Sequence, residues 1–293
     1  MAALSPAESL FLLKPNRTPA RETVKVTLLS LLAQGIVRLE EQVTKRFIGT
    51  RKTVYVRLTQ RPVPALPAHA VSLLDQARAA QADTGSMPDV VKRARRAYGS
   101  SLNGFNRDFI IPQLRSRDLI EERRVLFLRH YKRTPAGDAE ESRIAADIAR
   151  ARSIPELLRS NPAEVAALVL AVGSTILLVN ELRPYYRQIS EVMRPRGTGA
   201  DYSDSSGGDA SLPLWNSSDP GNAHPGDAMQ GLDAASFGSL DLSAFDAGAF
   251  DALDAGMASF DAGFDASVGD GGGGGDGGGD GDGGGGGGGG GGD

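Results

Sequence analysis

Four of the five residues in "KRARR", Lys92 to Arg96, are basic, and Arg78 precedes the run while Arg115, Arg117, Arg123 and Arg124 follow it. Clustered arginines suit phosphates, because the guanidinium fork stays charged and bonds two oxygens at once. A basic residue near an anionic bilayer contributes about 1 kcal/mol, so four or five facing one way suffice for reversible attachment. The phosphate backbone of a nucleic acid attracts the same side chains through counterion release. The competing reading is a solvated helix face, neutralised in part by the chain's own aspartates.

Other chemistry is thinner. His69, His130 and His224 lie too far apart for a metal motif and adjoin no nucleophile pattern. The pairs Glu40, Glu41 and Glu121, Glu122 imitate a general acid and base, but neighbours on a strand point to opposite faces, as solvated strand ends do. Calcium-binding repeats need fixed spacing and an apolar position in each repeat, and the glycine run of the tail offers neither. There is no cysteine, which removes thiol catalysis, cysteine-zinc sites and disulfides and fits a reducing, cytoplasmic compartment. The expectation is a non-enzymatic chain with no cofactor and no metal.

The charge is unevenly laid out. Of 36 acidic residues, 17 are aspartates after position 200, where no lysine or arginine occurs, so the first 200 residues carry +13 and the remainder −17. Of 38 glycines, 29 also follow position 200, many of them in the closing run of glycine and aspartate. Such asymmetry marks an acidic tail attached to a domain that prefers anions. The start, "MAALSPAESLFLL", has no basic n-region, and no secretory signal is expected. "VAALVLAVGSTILLV", Val165 to Val179, is closed by Glu164 on one side and by Asn180 and Glu181 on the other. It falls short of the roughly 20 apolar residues that a membrane span needs, so it reads as a buried core helix.

The elements that must hold these residues follow from punctuation. Ser5 to Glu8 form a capping box with proline at the first helical position, predicting a helix to about Leu13. Thr18 and Pro19 repeat the device, and Val24, Leu28, Leu31 and Leu32 make a helical stripe that Gly35 ends. "IVRLEEQ" and "TVYVRLT" alternate like strands around a basic loop at Lys45 to Lys52. Helix, helix and hairpin make one winged-helix-like unit. The order recurs with "LPAHAVSLLDQARAA", a helix opened by Pro88 and ended by Gly99, a third that must bend or stop near Pro112, and a strand pair or a strand with a tight turn over Leu119 to Arg133. "LLAQGIVRLEE" and "LRSRDLIEERR" share a helix end, a one-residue hinge and a strand with paired glutamates, the mark of an internal duplication. A polar helix from "TPAGDAEESRIAADIARA" follows, and Asn161 and Pro162 cap and start the last helix. The predicted fold class is α+β, mostly helical. It comprises winged-helix-like units at 1–62 and 63–136, a C-terminal helical part at 137–195 with a buried helix, and a disordered acidic Gly/Asp-rich tail at 196–293.

"LSPAESLFLL", "VTLLSLLAQGIVRLEE", "LIEERRVLFL" and "LVNELRP" together resemble the core of the Golgi-phosphoprotein-3-like family of peripheral membrane proteins, over roughly residues 3 to 185. "KRTPAGDA", "LAVGSTILL" and the glycine tail are similar to the cytosolic regions of uncharacterised bacterial predicted membrane proteins. The first resemblance implies a shallow basic pocket for the phosphorylated head group of an inositol lipid, with Lys25 and Arg107 at the family's basic positions. The chain departs from that pattern in having its one tryptophan, Trp215, in the tail and Gly104 where another arginine is expected. A general affinity for anionic surfaces is what these substitutions leave.

The tail carries one amphipathic segment. Phe250, Leu253, Met257, Phe260 and Phe264 step by three, four, three and four, one apolar stripe on a helix, with Asp251, Asp254, Asp261 and Asp265 beside it. Gly256 and Gly263 cost roughly 1 kcal/mol each relative to alanine, so this helix needs a partner, either a groove on another protein or the chain's own basic front. The sequence therefore reads as an adaptor whose front binds an anionic membrane surface, a phosphorylated lipid head group or a protein partner. Lys25, Lys92, Arg93, Arg95, Arg96, Arg107, Arg115 and Arg117 are its anion-binding candidates, and the acidic tail competes for them. The alternative is a winged-helix nucleic-acid-binding regulator with an acidic recruitment tail. It is less favoured, because the helix before the first hairpin offers only Arg21 and Lys25 as cations and few amides to read bases.

Overall fold

The computed structural model describes residues 3–45, 50–59, 66–125, 128–193 and 252–269. It is a mixed helical and antiparallel-strand assembly in which helices dominate. Helix α1 (Pro6–Leu13) opens with the expected capping box: Glu8 N–H donates to Ser5 Oγ at 3.2 Å, and Ser5 N–H donates to Glu8 Oε2 at 2.8 Å. Helix α2 (Ala20–Ala33) departs from expectation at its start. The Thr18 hydroxyl donates to the Lys14 carbonyl at 3.0 Å instead of capping α2, because the turn after α1 leaves that acceptor within reach.

Strands β1 (Val37–Lys45) and β2 (Thr50–Leu58) form the first hairpin, in register from Val37 opposite Leu58 to Lys45 opposite Thr50. Helices α3 (Ala68–Gln81) and α4 (Met87–Tyr98) follow. A short α5 (Asn103–Phe105) then passes through a π turn (Asn106–Ile110) into α6 (Ile111–Ser116). The π turn answers Pro112, which has no N–H to donate. The wider turn lets Ile111 N–H reach back to the Asn106 carbonyl, accommodating the ring without ending the helix. Strands β3 (Ile120–Val125) and β4 (Leu128–Arg133) make the second hairpin.

The duplication read from sequence has a geometric counterpart at the two helix–hairpin junctions. Gly35 (φ 62°) and Asp118 (φ 57°) both adopt the left-handed conformation that reverses the chain out of a helix. Just after them, Ile36 N–H donates to Leu31 O at 3.0 Å and Leu119 N–H to Leu114 O at 2.9 Å. A threonine closes each hairpin: Thr59 donates through its amide to Ile36 O and its hydroxyl to Gly35 O, and Thr134 does the same to Leu119 O and Asp118 O. The halves are fused across their middles by a bridge between Tyr55 and Ser86 and by a buried hydrogen bond of 2.6 Å from Thr23 Oγ1 to Asn106 Oδ1.

Thr134 caps α7 (Pro135–Ala151), accepting from Gly137 N–H at 3.0 Å. Helix α8 (Ile154–Ser160) leads to α9 (Pro162–Val172). Asn161 does not cap α9 with its side chain, which instead donates to Glu164 Oε2 at 3.2 Å. The run Val165 to Val179 is not one buried helix. It breaks at Gly173 (φ 53°) into 3-10 turns at Gly173–Leu178 and Asn180–Tyr185 before α10 (Tyr186–Met193). Val165, Val169 and Val172 face inward while Leu170 is 58% exposed. Among the described residues no helix is long and apolar enough to cross a membrane.

Within 196–293, a span that composition alone marks as disordered, Leu253–Gly269 is a helix, α11. One continuous apolar core runs from Leu4 through both units and the C-terminal part to Met257 and Phe260 of α11.

Candidate anion-binding face and its covering helix

Helix α11 lies across α4 and both strands of the first hairpin. Leu253, Met257 and Phe260 are buried and Phe264 is half-buried, so four of the five residues of the predicted stripe form the inner face; Phe250 lies outside the described residues. The two glycines that weaken the free helix allow its approach. A Cβ on Gly256 would overlap Leu39 Cδ1 on β1, and one on Gly263 would stand 3.2 Å from Pro88 Cα on α4.

Around this apolar seat the charges are matched. Lys25 Nζ lies 2.5 Å from Asp261 Oδ1, as an ion pair without hydrogen-bond geometry, and 3.5 Å from Glu22 Oε1. At 8% exposure Lys25 is enclosed, which a charged amine tolerates only when paired. One turn earlier on α2, Arg21 reaches Asp261 at 3.9 Å and Asp265 at 3.8 Å. From α4, Arg95 Nη1 donates to the Phe264 carbonyl at 2.8 Å. The guanidinium groups of Arg21 and Arg95 stand 5.4 and 5.0 Å from the Phe264 ring centre, and Lys25 stands 5.8 Å from that of Phe260. Each is within the range of a cation–π attraction.

The structure thus brings together Lys25 and Arg95 from the predicted set and adds Arg21. The missed residue had a sequence signal: it stands four positions before Lys25, on the same face of α2. Lys92 and Arg96 on α4 are exposed and make no ion pair among the described residues. Arg93 is engaged with Asp83 at 2.8 Å. Three candidates point to other partners: Arg107 pairs with its neighbour Asp108 at 2.7 Å, Arg115 with Glu122 at 3.2 Å, and Arg117 donates weakly to the Ala3 carbonyl at 3.5 Å. The eight residues therefore do not form one patch. Arg107 holds the Asp108 carboxyl below its ordinary pKa, chiefly through their hydrogen bond.

The paired glutamates are ion-paired along the hairpins: Glu40 with Arg57, Glu41 with Lys52, Glu121 with Arg123, and Glu122 with Arg115 and Arg129. His130 Nε2 meets the Asn16 amide at 3.3 Å. His69 is buried with its ring edge-on to Phe105 at 6.1 Å, and burial lowers its pKa to about 4 against the opposing pull of the Glu8 carboxylate. His224 lies outside the described residues, among which no group of three or more His, Asp or Glu side chains is arranged to hold a metal ion. Set beside protein-family models, curated proteins and solved structures, the chain matches none of them.

Proposed function

We propose that this chain is a non-enzymatic adaptor that works at an anionic membrane surface, binding phosphorylated lipid head groups through its basic face, with α11 as a removable cover. The observation that carries the reading is the convergence of Arg21, Lys25 and Arg95, from two helices, on one helix of the chain's own acidic tail. Aspartates and a carbonyl occupy the cations that would otherwise meet phosphates, while exposed Lys92 and Arg96 beside them give a first contact. Each cation released to a bilayer contributes about 1 kcal/mol, so uncovering three changes attachment from marginal to firm. In this reading the front consists of two winged-helix-like units, supported by the repeated helix–hairpin junction, and the protein is cytoplasmic and peripheral at the membrane. The resemblance to the Golgi-phosphoprotein-3-like family points the same way. The apolar seat beneath α11 gives a protein partner a second point of attachment.

The test is co-sedimentation of the full chain and of an Asp261→Arg, Asp265→Arg variant with neutral and anionic vesicles at low and moderate salt. The variant should pellet with anionic vesicles at least tenfold better than the parent and lose that binding as salt rises. Failure of both proteins to bind removes the membrane reading. Retention of duplex DNA by the variant in place of vesicles selects the nucleic-acid alternative.

A further inference from the structure

The docked helix is not the only place where its sequence occurs. "LSAFDAG", Leu242 to Gly248, and "MASFDAG", Met257 to Gly263, share Phe-Asp-Ala-Gly, a large apolar residue three positions before the phenylalanine, and small residues between. In the docked copy the groove meets Leu253, Gly256 and Phe264 and, within the repeated stretch, four further positions. Met257 and Phe260 fill the apolar seat, Asp261 meets Lys25, and Gly263 lies where a Cβ would stand 3.2 Å from Pro88 Cα and 3.7 Å from Val91 Cβ. Ala258 and Ala262 face outward, so the groove makes no demand there, and half-buried Ser259 asks only for small size. Those four are kept in the upstream copy, as Leu242, Phe245, Asp246 and Gly248, while the contact positions Leu253, Gly256 and Phe264 are not.

We propose that the groove bounded by α2, α4 and the first hairpin is a reader of a short helical motif, large apolar-x-x-Phe-Asp-Ala-Gly, and that Leu242–Gly248 is its second ligand, able to replace Met257–Gly263 in the same molecule. The groove is a helix-in-groove receptor with anchors at helical spacing and one charge contact that fixes register. The chain between Met193 and Leu242 is long enough to bring the upstream motif to the same seat, since an extended residue spans about 3.3 Å or a little more. The two ligands are not equal. At the place of buried Leu253 the upstream copy has Gly238, at the place of Gly256 it has Asp241, whose Cβ in the same seat would overlap Leu39 Cδ1, and at the place of Phe264 it has Ala249, which offers Arg21 and Arg95 no ring. Met257–Gly263 is therefore the resident and Leu242–Gly248 the substitute, and the cover of the basic face survives damage to either one.

The absence of cysteine makes a direct test available. Gly263 and Val91 have Cβ positions 3.7 Å apart, the separation found across disulfides, so Val91→Cys with Gly263→Cys reports the resident register and Val91→Cys with Gly248→Cys the substitute. Both pairs are made in the full chain and oxidised mildly, and the linked monomer is resolved on a non-reducing gel. The first pair should link, because the Cβ added at position 263 asks Pro88 to give by only a few tenths of an ångström. The second should link to a minor extent, rise about twofold when Asp261→Ala is added and at least fivefold when Phe260→Ala is added with it. The single substitution serves where the double one lowers the melting temperature of the front. No rise in the second link in either background, with the thiol at position 248 still reactive to a maleimide, overturns the proposal. Cross-linked dimers in place of monomers also overturn it, because they place the second motif in the groove of another copy.

Discussion

Helices α2 and α6 hold the same place in the two halves of the front, each ending in a left-handed residue that feeds a hairpin closed by a threonine, yet their surroundings differ. Helix α2 is enclosed along nearly its whole length, between α1, α3, the first hairpin and neighbours that bring even Lys25 below a tenth exposed. Helix α6 keeps Pro112, Arg115 and Ser116 in water, and Arg115 pairs with Glu122 on the hairpin that follows. A duplicated junction thus fixes the backbone, while what covers the helix decides whether its cations become a site. Among the described residues, only the copy covered by α11 gathers cations against acids from a distant part of the chain.

The comparison breaks most sharply in the core. Leu31 and Leu114 are equivalent acceptors at the two junctions and are 1% and 0% exposed. Leu31→Ala and Leu114→Ala should each cost about 3 kcal/mol in a denaturant melt. Similar losses in one cooperative transition indicate that the halves fold together through their shared core. Separate transitions would show independent units.

A second test lies in the seam, where His69 of α3 faces Phe105 and feels Glu8 of α1. Its pKa is lowered from 6.5 to about 4, so the unfolded chain takes up the proton first as pH falls. Stability from this group is complete above about pH 6.5 and is lost on acidification towards pH 4, by about 3 kcal/mol in full. Melts of the parent and of His69→Leu across that window check it: the parent should show this loss and the variant should not.

The hinges sharpen the comparison at smaller scale. Gly35→Ala places a Cβ at φ 62° and should destabilise by about 1 kcal/mol, whereas Asp118→Gly relieves φ 57° and should stabilise by less than about 1 kcal/mol. Opposite signs in chemical denaturation would confirm that the two junctions solve one backbone problem with different residues. The smallest effect is expected at Asp261, whose side chain is 40% exposed. Asp261→Asn should weaken α11 by about 0.5 kcal/mol at low salt and less at high salt, read as faster amide exchange within α11.

Much of this arrangement is legible in the sequence. Capping box, hairpins, the bend at Pro112 and the stripe of α11 all rest on interactions within a few residues of one another, which periodicity and turn residues encode. Thr18 and Asn161 resemble caps and are not, because a short polar side chain has several acceptors in reach and sequence does not rank them. The break at Gly173 is invisible because an apolar run states hydrophobicity and not direction. Arg21 escapes because the density of "KRARR" draws weight to α4. The groove itself is illegible, being assembled from α2, α4 and a hairpin that only the fold brings together.

The position of α11 after the front also sets a schedule. A ribosome makes the front first, and everything from Met193 to Gly269 must still be added before α11 is complete. At roughly 5–20 residues per second, the nascent protein exposes an open apolar seat ringed by arginine and lysine for about 4–15 s before its own helix arrives. In the membrane reading proposed above, the basic face of each new molecule is open to an anionic surface during those seconds, before the tail arrives.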